Sequence, residues 1–271
     1  MIWKREKKAM KTTNLILIGL AAVCVAGKAW AAPYVMLPNG SRVDGTAIRA
    51  LSTGDINLTT EVGVRTFPKG SYLKAVADKP PEYDQAVAAR NAKKYDDAAK
   101  LLEGVVARFR YLGWDVEASK LLAQVLLEKG DAEGAVQAYE KLFLLSPEAK
   151  QNSDVAWGLR RAMLQAKQYP ALLRQLDAVA AAGSRPEAAR AQTMRGDIQL
   201  AQNNVELAAM DYLRTAILFQ DVKDAAIQGE AHFKAASALE QMREPRAKDL
   251  YKKVVSEYGT SPYAAQARGK I

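Results

Sequence analysis

Few residues in this sequence could perform covalent or metal chemistry. Beyond residue 31 there is one histidine, His232 in "QGEAHFKAAS", and no cysteine; the sole cysteine, Cys24, sits in an apolar N-terminal run. A hydrolytic triad or a multi-histidine metal site would have to be built around that one imidazole, and its helical setting points instead to inter-helix packing. The string "SYLK", Ser71–Lys74, has the S-x-x-K spacing of a serine nucleophile beside a lysine base, but no S-D-N or K-T-G accompanies it. H-E-x-x-H, G-x-S-x-G, G-x-x-x-x-G-K-[ST] and G-x-G-x-x-G do not occur. The acids Asp96, Asp97, Asp131 and Glu133 fall at expected helix starts, where carboxylates cap free N–H groups and meet the positive end of the helix dipole. "RFRYLGW", Arg108–Trp114, interleaves cations with aromatics as a nucleic-acid or peptide contact would. Its place between two helices favours another role, with Phe109 or Trp114 packed inward and the arginines in water. These residues predict no enzyme, no metal and no cofactor.

The elements around them fall into two kinds. From Pro33 to about Pro80, glycines at 40, 45, 54, 63 and 70 separate short β-branched runs. In "DINLTTEVGVRTF", Ile56, Leu58 and Thr60 alternate with polar neighbours before a turn at Glu61–Gly63. Turns every nine or so residues with period-two alternation predict a small antiparallel domain over 33–80, four or five strands in an SH3-like or Sm-like barrel. "DKPPEYD" closes that region, because a double proline cannot continue a strand and commonly precedes a helix.

After it, one spacing recurs. A small or aliphatic residue is followed by a bulky one four positions later and a third residue three beyond that: Ala98/Leu102/Val105, Ala135/Tyr139/Leu142, Leu172/Leu176/Val179, Ala208/Tyr212/Thr215 and Ala247/Tyr251/Val254. The leads are 37, 37, 36 and 39 residues apart. Each follows a turn that itself follows a helical run, so the unit is a helix–turn–helix pair. Offsets of four and seven keep the three residues on one helical face. A pair cannot bury its apolar faces alone, so successive pairs must stack into a continuous core. The fold predicted is mainly α, an α-solenoid of about five helix pairs over 82–271 preceded by the small β-domain.

The second unit, "SKLLAQVLLEKGDAEGAVQAYEKLFLLSP", resembles a tetratricopeptide repeat: a turn at Gly130-Asp131, Ala135 at the small position, Tyr139 at the aromatic one and Pro147 closing the unit. The fourth matches through Gly196, Ala208 and Tyr212. The last, "AKDLYKKVVSEYGTSPYAAQA", is similar to the final repeats of bacterial periplasmic proteins of the TolA-binding, Tol–Pal-associated type and of outer-membrane assembly lipoproteins. The third unit departs from the pattern, with Leu172 for alanine and Pro170 in its turn. The resemblance implies a non-enzymatic protein-interaction scaffold whose first helices line a concave groove. Carried over by register, the groove-facing residues are Lys120, Gln124, Leu127 and Glu128 in the second unit and Thr193, Asp197 and Leu200 in the fourth. Ala98, Ala135, Tyr139, Leu172, Ala208, Tyr212, Ala247 and Tyr251 are spacers.

Composition fits this reading. Of 271 residues, 49% are hydrophobic and 25% charged, enough to bury a core. The formal charge of +9 is misleading, since residues 1–31 carry six cations against Glu6 and so hold five of those charges. The remainder is too mildly basic to argue for nucleic acid. Residues 1–31 read as an export signal: a basic start, the apolar run "LILIGLAAVCVAG" and Ala29-Trp30-Ala31 as a small-x-small cleavage site. Met10 is an alternative start, and retention of the segment as an anchor is the competing outcome. The expected setting is the periplasm or cell envelope of a bacterium. Expected partners are other envelope proteins or peptides, with self-association as a further option and membrane contact only through an uncleaved N-terminus. Wall or envelope-assembly binding through the β-domain is the alternative function.

Overall fold

The computed structural model describes residues 32–271, so the expected export signal and Cys24 lie outside the described residues. Six strands come first: β1 Tyr34–Met36, β2 Arg42–Asp44, β3 Ala47–Ala50, β4 Ile56–Thr60, β5 Gly63–Phe67 and β6 Lys74–Val76. They form two antiparallel three-stranded sheets, ordered β2-β1-β6 and β3-β4-β5. The count exceeds the expected four or five because one bent strand serves both sheets as β2 and β3. At the bend, Gly45 N–H donates to Pro33 O in one sheet (2.9 Å) and Thr46 N–H to Thr59 O in the other (2.8 Å). A Cβ on Gly45 would stand 2.4 Å from Thr59 O, so a side chain at 45 would prevent the crossing. Val35, Ile56, Leu58, Phe67, Ala75 and Ala77 fill the space between the sheets, as period-two alternation requires.

The helical part contains the five expected pairs. They are α1 Pro81–Asn91 with α2 Tyr95–Arg108, α3 Trp114–Lys129 with α4 Ala132–Leu145, α5 Ser153–Gln165 with α6 Tyr169–Ala182, α7 Arg185–Ala201 with α8 Val205–Leu218, and α9 Ala225–Gln241 with α10 Ala247–Glu257. A 3₁₀ turn, Pro147–Gln151, separates the second pair from the third, and α11 Ala264–Arg268 follows the fifth. Each lead residue lies early in a second helix, and Ala98, Ala135, Leu172, Ala208 and Ala247 are all buried. So are the bulky residues Leu102, Tyr139, Leu176, Tyr212 and Tyr251. Pro170 occupies the first turn of α6, where its missing N–H costs nothing.

Each pair turns through one left-handed residue: Lys93, Gly130, Lys167, Asn203 and Arg243, with φ between 57° and 90°. In every case its N–H and the next one return to carbonyls of the preceding helix, as in Gly130 N–H to Leu127 O and Asp131 N–H to Leu126 O. This Schellman-type cap satisfies helix-end carbonyls and fixes the reversal. Only the second unit uses glycine for it.

The "RFRYLGW" segment is the joint between the two parts. Leu112 is buried in the β-domain core, with Phe109, Tyr111 and Trp114 packed around it. Trp114 Nε1 donates to Ala77 O (2.9 Å), and Ala77 N–H donates to Leu112 O (3.2 Å). Arg108 pairs with Glu82 at 2.8 Å, and Arg110 lies over the Tyr111 ring. At the far end, α11 buries Ala264 and Ala267 while Ala265, Gln266 and Arg268 face water, so the last pair is closed by a polar helix. Among the described residues no helix is long and apolar enough to cross a membrane.

Candidate functional site: a concave groove

The first helices α5, α7 and α9 line a groove of about 470 Å³. Its floor is apolar, from Trp157, Leu164, Met194 and Ile227; charged groups of both signs edge it, including Asp154, Arg161, Arg190 and Glu230. Tyr263, just before α11, also lines it. These side chains share one face because the first helices stack in parallel at the repeat period.

Inter-repeat polar contacts fix the walls. Trp157 is buried, and its indole Nε1 donates to Glu187 Oε2 at 2.6 Å. Asp197 of α7 accepts from Tyr212 Oη at 2.8 Å and from Lys234 Nζ of α9 at 2.9 Å. Lys234 also pairs with Glu230 (2.5 Å). Burial by itself would lower the Lys234 ammonium, but Asp197 and Glu230 outweigh it and hold the pKa above its ordinary value. Burial, reinforced by the Asp197 charge, pushes the Tyr212 phenol far up, so it stays a donor. By contrast Asp154 and Arg161 are exposed and take no part in the ion pairs among the described residues, and Arg190 only approaches Glu187 at 3.7 Å.

The groove residues expected from sequence scatter. Asp197 lines the groove, held by Lys234 and Tyr212. Thr193 forms part of the wall but is buried, its hydroxyl directed to Ala189 O and Thr215 Oγ1 (3.1 Å each). Leu200 lies beyond the groove and is 37% exposed. In α3, Glu128 pairs with Arg90 of α1 (2.9 Å to Nε), and Leu127 packs against the core. Gln124 is half-buried, and Lys120 lines a separate cavity of about 530 Å³ between the β-domain and α3, paired with Glu117 at 2.8 Å. Trp157, Arg161, Arg190, Glu230 and Lys234 were not anticipated. The available signal was charge at the repeat period: Arg90 and Glu128 are 38 residues apart, Asp197 and Lys234 are 37.

Nothing in the groove pairs a nucleophile with a base. His232 is buried, its Nδ1 2.8 Å from Gln228 O and its ring 5.0 Å from that of Tyr258. The Ser71 hydroxyl donates to Pro68 O at 2.7 Å. Among the described residues no three of His, Cys, Asp or Glu are placed to share a metal ion.

Stacked helix pairs around a groove of mixed polarity define a helical-repeat interaction module. The tetratricopeptide repeat family profile matches residues 83–149 and 161–229, more than half of the sequence, and a second tetratricopeptide repeat profile matches 230–261. The chain belongs to the tetratricopeptide repeat family. Among solved structures, it is similar to the repeats of a Podosopora anserina putative kinesin light chain, with 16% identity over 69% of this chain and 95% of that one and a TM-score of 0.50. It is also similar to MamA from Desulfovibrio magneticus RS-1, with 18% identity over 67% and 96% of the two chains and a TM-score of 0.45. No curated protein matches.

Proposed function

We propose that this protein is an exported, non-enzymatic scaffold of the bacterial cell envelope, holding an extended peptide or helix of a partner protein in the α5/α7/α9 groove. The groove's construction carries this reading: an apolar floor flanked by Asp154, Arg161 and Arg190, whose charges are free or only loosely paired. An apolar stripe with both signs of charge at its edge suits a polypeptide better than a small molecule, which needs an enclosed pocket. Export rests on the 1–31 pattern alone. The TolA-binding, Tol–Pal-associated type remains the subfamily proposed from the last repeat's sequence.

Alkaline phosphatase fused after Ile271 and produced in a Gram-negative host tests export, because the enzyme folds only outside the cytoplasm. Activity that disappears when residues 1–31 are deleted supports it; an inactive fusion contradicts it. The groove is tested by R161E/R190E, which should lose a co-purifying envelope protein that K100E on the outer face of α2 retains.

A second reading is contact with peptidoglycan or an envelope-assembly protein through the β-domain. The cavity at the joint favours it, since Tyr72, Tyr111, Lys74 and Lys120 line it together. Sedimentation of the full chain with purified peptidoglycan, abolished by changing Tyr72 and Lys74, distinguishes the two. Head-to-tail self-assembly is the weaker option, because a polar face closes the last pair.

A further inference from the structure

The array supplies its own internal comparison at one position. Sixteen residues before the bulky residue of the second helix stand Ala86, Ala123, Gly196 and Ala235, all buried. In the third pair that place belongs to Arg160. Where Gly196 lets Tyr212 lie against the backbone of α7, the pair that carries Arg160 is the one whose two helices, α5 and α6, approach each other least closely. A wedge-shaped cavity of about 390 Å³ results, lined by Arg160, Gln175, Ala178, Val179, Ala182 and Glu187 together with Gly183.

The guanidinium in this wedge is supported but unpaired. It lies over the Trp157 ring, 4.7 Å from the centroid. Its Nε is shielded from solvent and meets no acceptor among the described residues. Glu187 is the one carboxylate in the wall, and it is engaged elsewhere: by Trp157 Nε1 at 2.6 Å, by Ser153 Oγ at 3.1 Å and by Arg190 at 3.7 Å. The Gln175 amide donates only to the Met163 sulfur, a weak acceptor it can readily exchange. A half-buried cation without a protein partner is costly, and an incoming anion would offset that cost.

We infer that the α5/α6 wedge is a binding site for a carboxylate, an acidic side chain of a partner polypeptide inserted against Arg160. The carboxylate takes the two terminal Nη groups, which unlike Nε are not among the solvent-shielded atoms, as a charge-assisted, two-point contact and accepts from Gln175. The site is open on the α6 side, where Ala178 and Ala182 are exposed and Val179 is half-buried, so an acidic side chain can reach it without rearrangement of the helices. None of the cavity's residues lines the concave groove, so this site stands whether or not the groove reading holds.

The test titrates fluorescein-labelled tetraglutamate into the full chain and follows anisotropy, with tetralysine as the control peptide. Binding should weaken about ten-fold in R160Q, the effect of one lost charge-assisted pair, and survive in the groove variant R161Q. Affinity kept in R160Q but lost in R161Q would place the peptide in the groove and overturn the proposal. A readout independent of R160Q folding is the Arg160 Nε–Hε cross-peak of the wild-type protein. It should shift saturably with tetraglutamate and not with sodium chloride at equal ionic strength. No shift, or an equal shift with salt, contradicts the inference.

Discussion

Gly196 of α7 lies directly beneath the ring of Tyr212 of α8: a Cβ at 196 would come within 2.5 Å of the ring's Cε1. The same phenol donates to Asp197 Oδ1 (2.8 Å), the next residue of α7, which in turn binds Lys234 of α9. A missing side chain, a ring and an ion pair thus connect two repeats, and the groove wall is the exposed edge of that connection.

Gly196→Ala should therefore destabilise the protein. The Tyr212 ring is fully buried and cannot retreat, so overpacking of about 2–3 kcal/mol exceeds the roughly 1 kcal/mol of helix propensity gained. Urea denaturation should show a net loss. Gly104→Ala in α2, with nothing within 4 Å of its Cβ, should gain up to about 1 kcal/mol in the same assay.

Three of the inter-helix turns force a long side chain into the left-handed region: Lys93, Lys167 and Arg243. Replacing any one with glycine relieves a conformational cost of about 1 kcal/mol. Lys167→Gly should raise the urea midpoint without altering the slope, whereas a lower midpoint would mean that the lysine makes a compensating contact.

Asp197→Asn leaves Lys234 with Glu230 and should cost about 2 kcal/mol, less than the roughly 3–5 kcal/mol of a fully buried pair because one carboxylate remains. The Lys234 pKa is raised on folding, so its stabilisation is fully present below its ordinary value of 10.5 and is lost as pH rises through the folded value. Wild-type protein should lose stability above about pH 10.5, and D197N should show a shallower decline over the same window.

His232 behaves in the opposite sense. Burial pulls its pKa below 6.5, only partly opposed by the Gln228 carbonyl; across from it on α10, Lys253 lowers it further and Glu257 raises it, while Tyr258 stacks on the ring. Its neutral form is favoured on folding, so stability is complete above about pH 6.5 and declines as pH falls below that. Thermal melts between pH 7.5 and 5.5 should show this decline, reduced in His232→Phe.

The repeat period was legible because steric spacing leaves the same small-and-bulky trace in every unit, down to Ala98, Ala135 and Ala208. The joint was half legible: "RFRYLGW" announced aromatics turned inward, but not that Leu112 would complete the β-domain core, a contact between distant parts of the chain. The groove was the least legible part. Thr193 and Asp197, one turn apart, share the groove face of α7, but the short Thr193 hydroxyl is taken up by Ala189 O and Thr215 Oγ1 whereas Asp197 reaches Lys234 of the next repeat, and spacing alone does not show which polar group is spent inside the array. Arg160 leaves no trace in the recurring spacing because that spacing lies in the second helices, whereas Arg160 stands in a first helix at a place that alanine or glycine holds in the other pairs.

The central claim is that partners bind in the α5/α7/α9 groove. Its most direct test places the photo-crosslinker p-benzoylphenylalanine at Arg161, Arg190 or Glu230 and, as outer-face controls, at Lys100, Glu140 or Lys252 in the native cell. Irradiation should give a discrete adduct of one mass from the groove positions and none from the controls. Adducts from the controls alone, or from both sets equally, would contradict the groove as the binding surface.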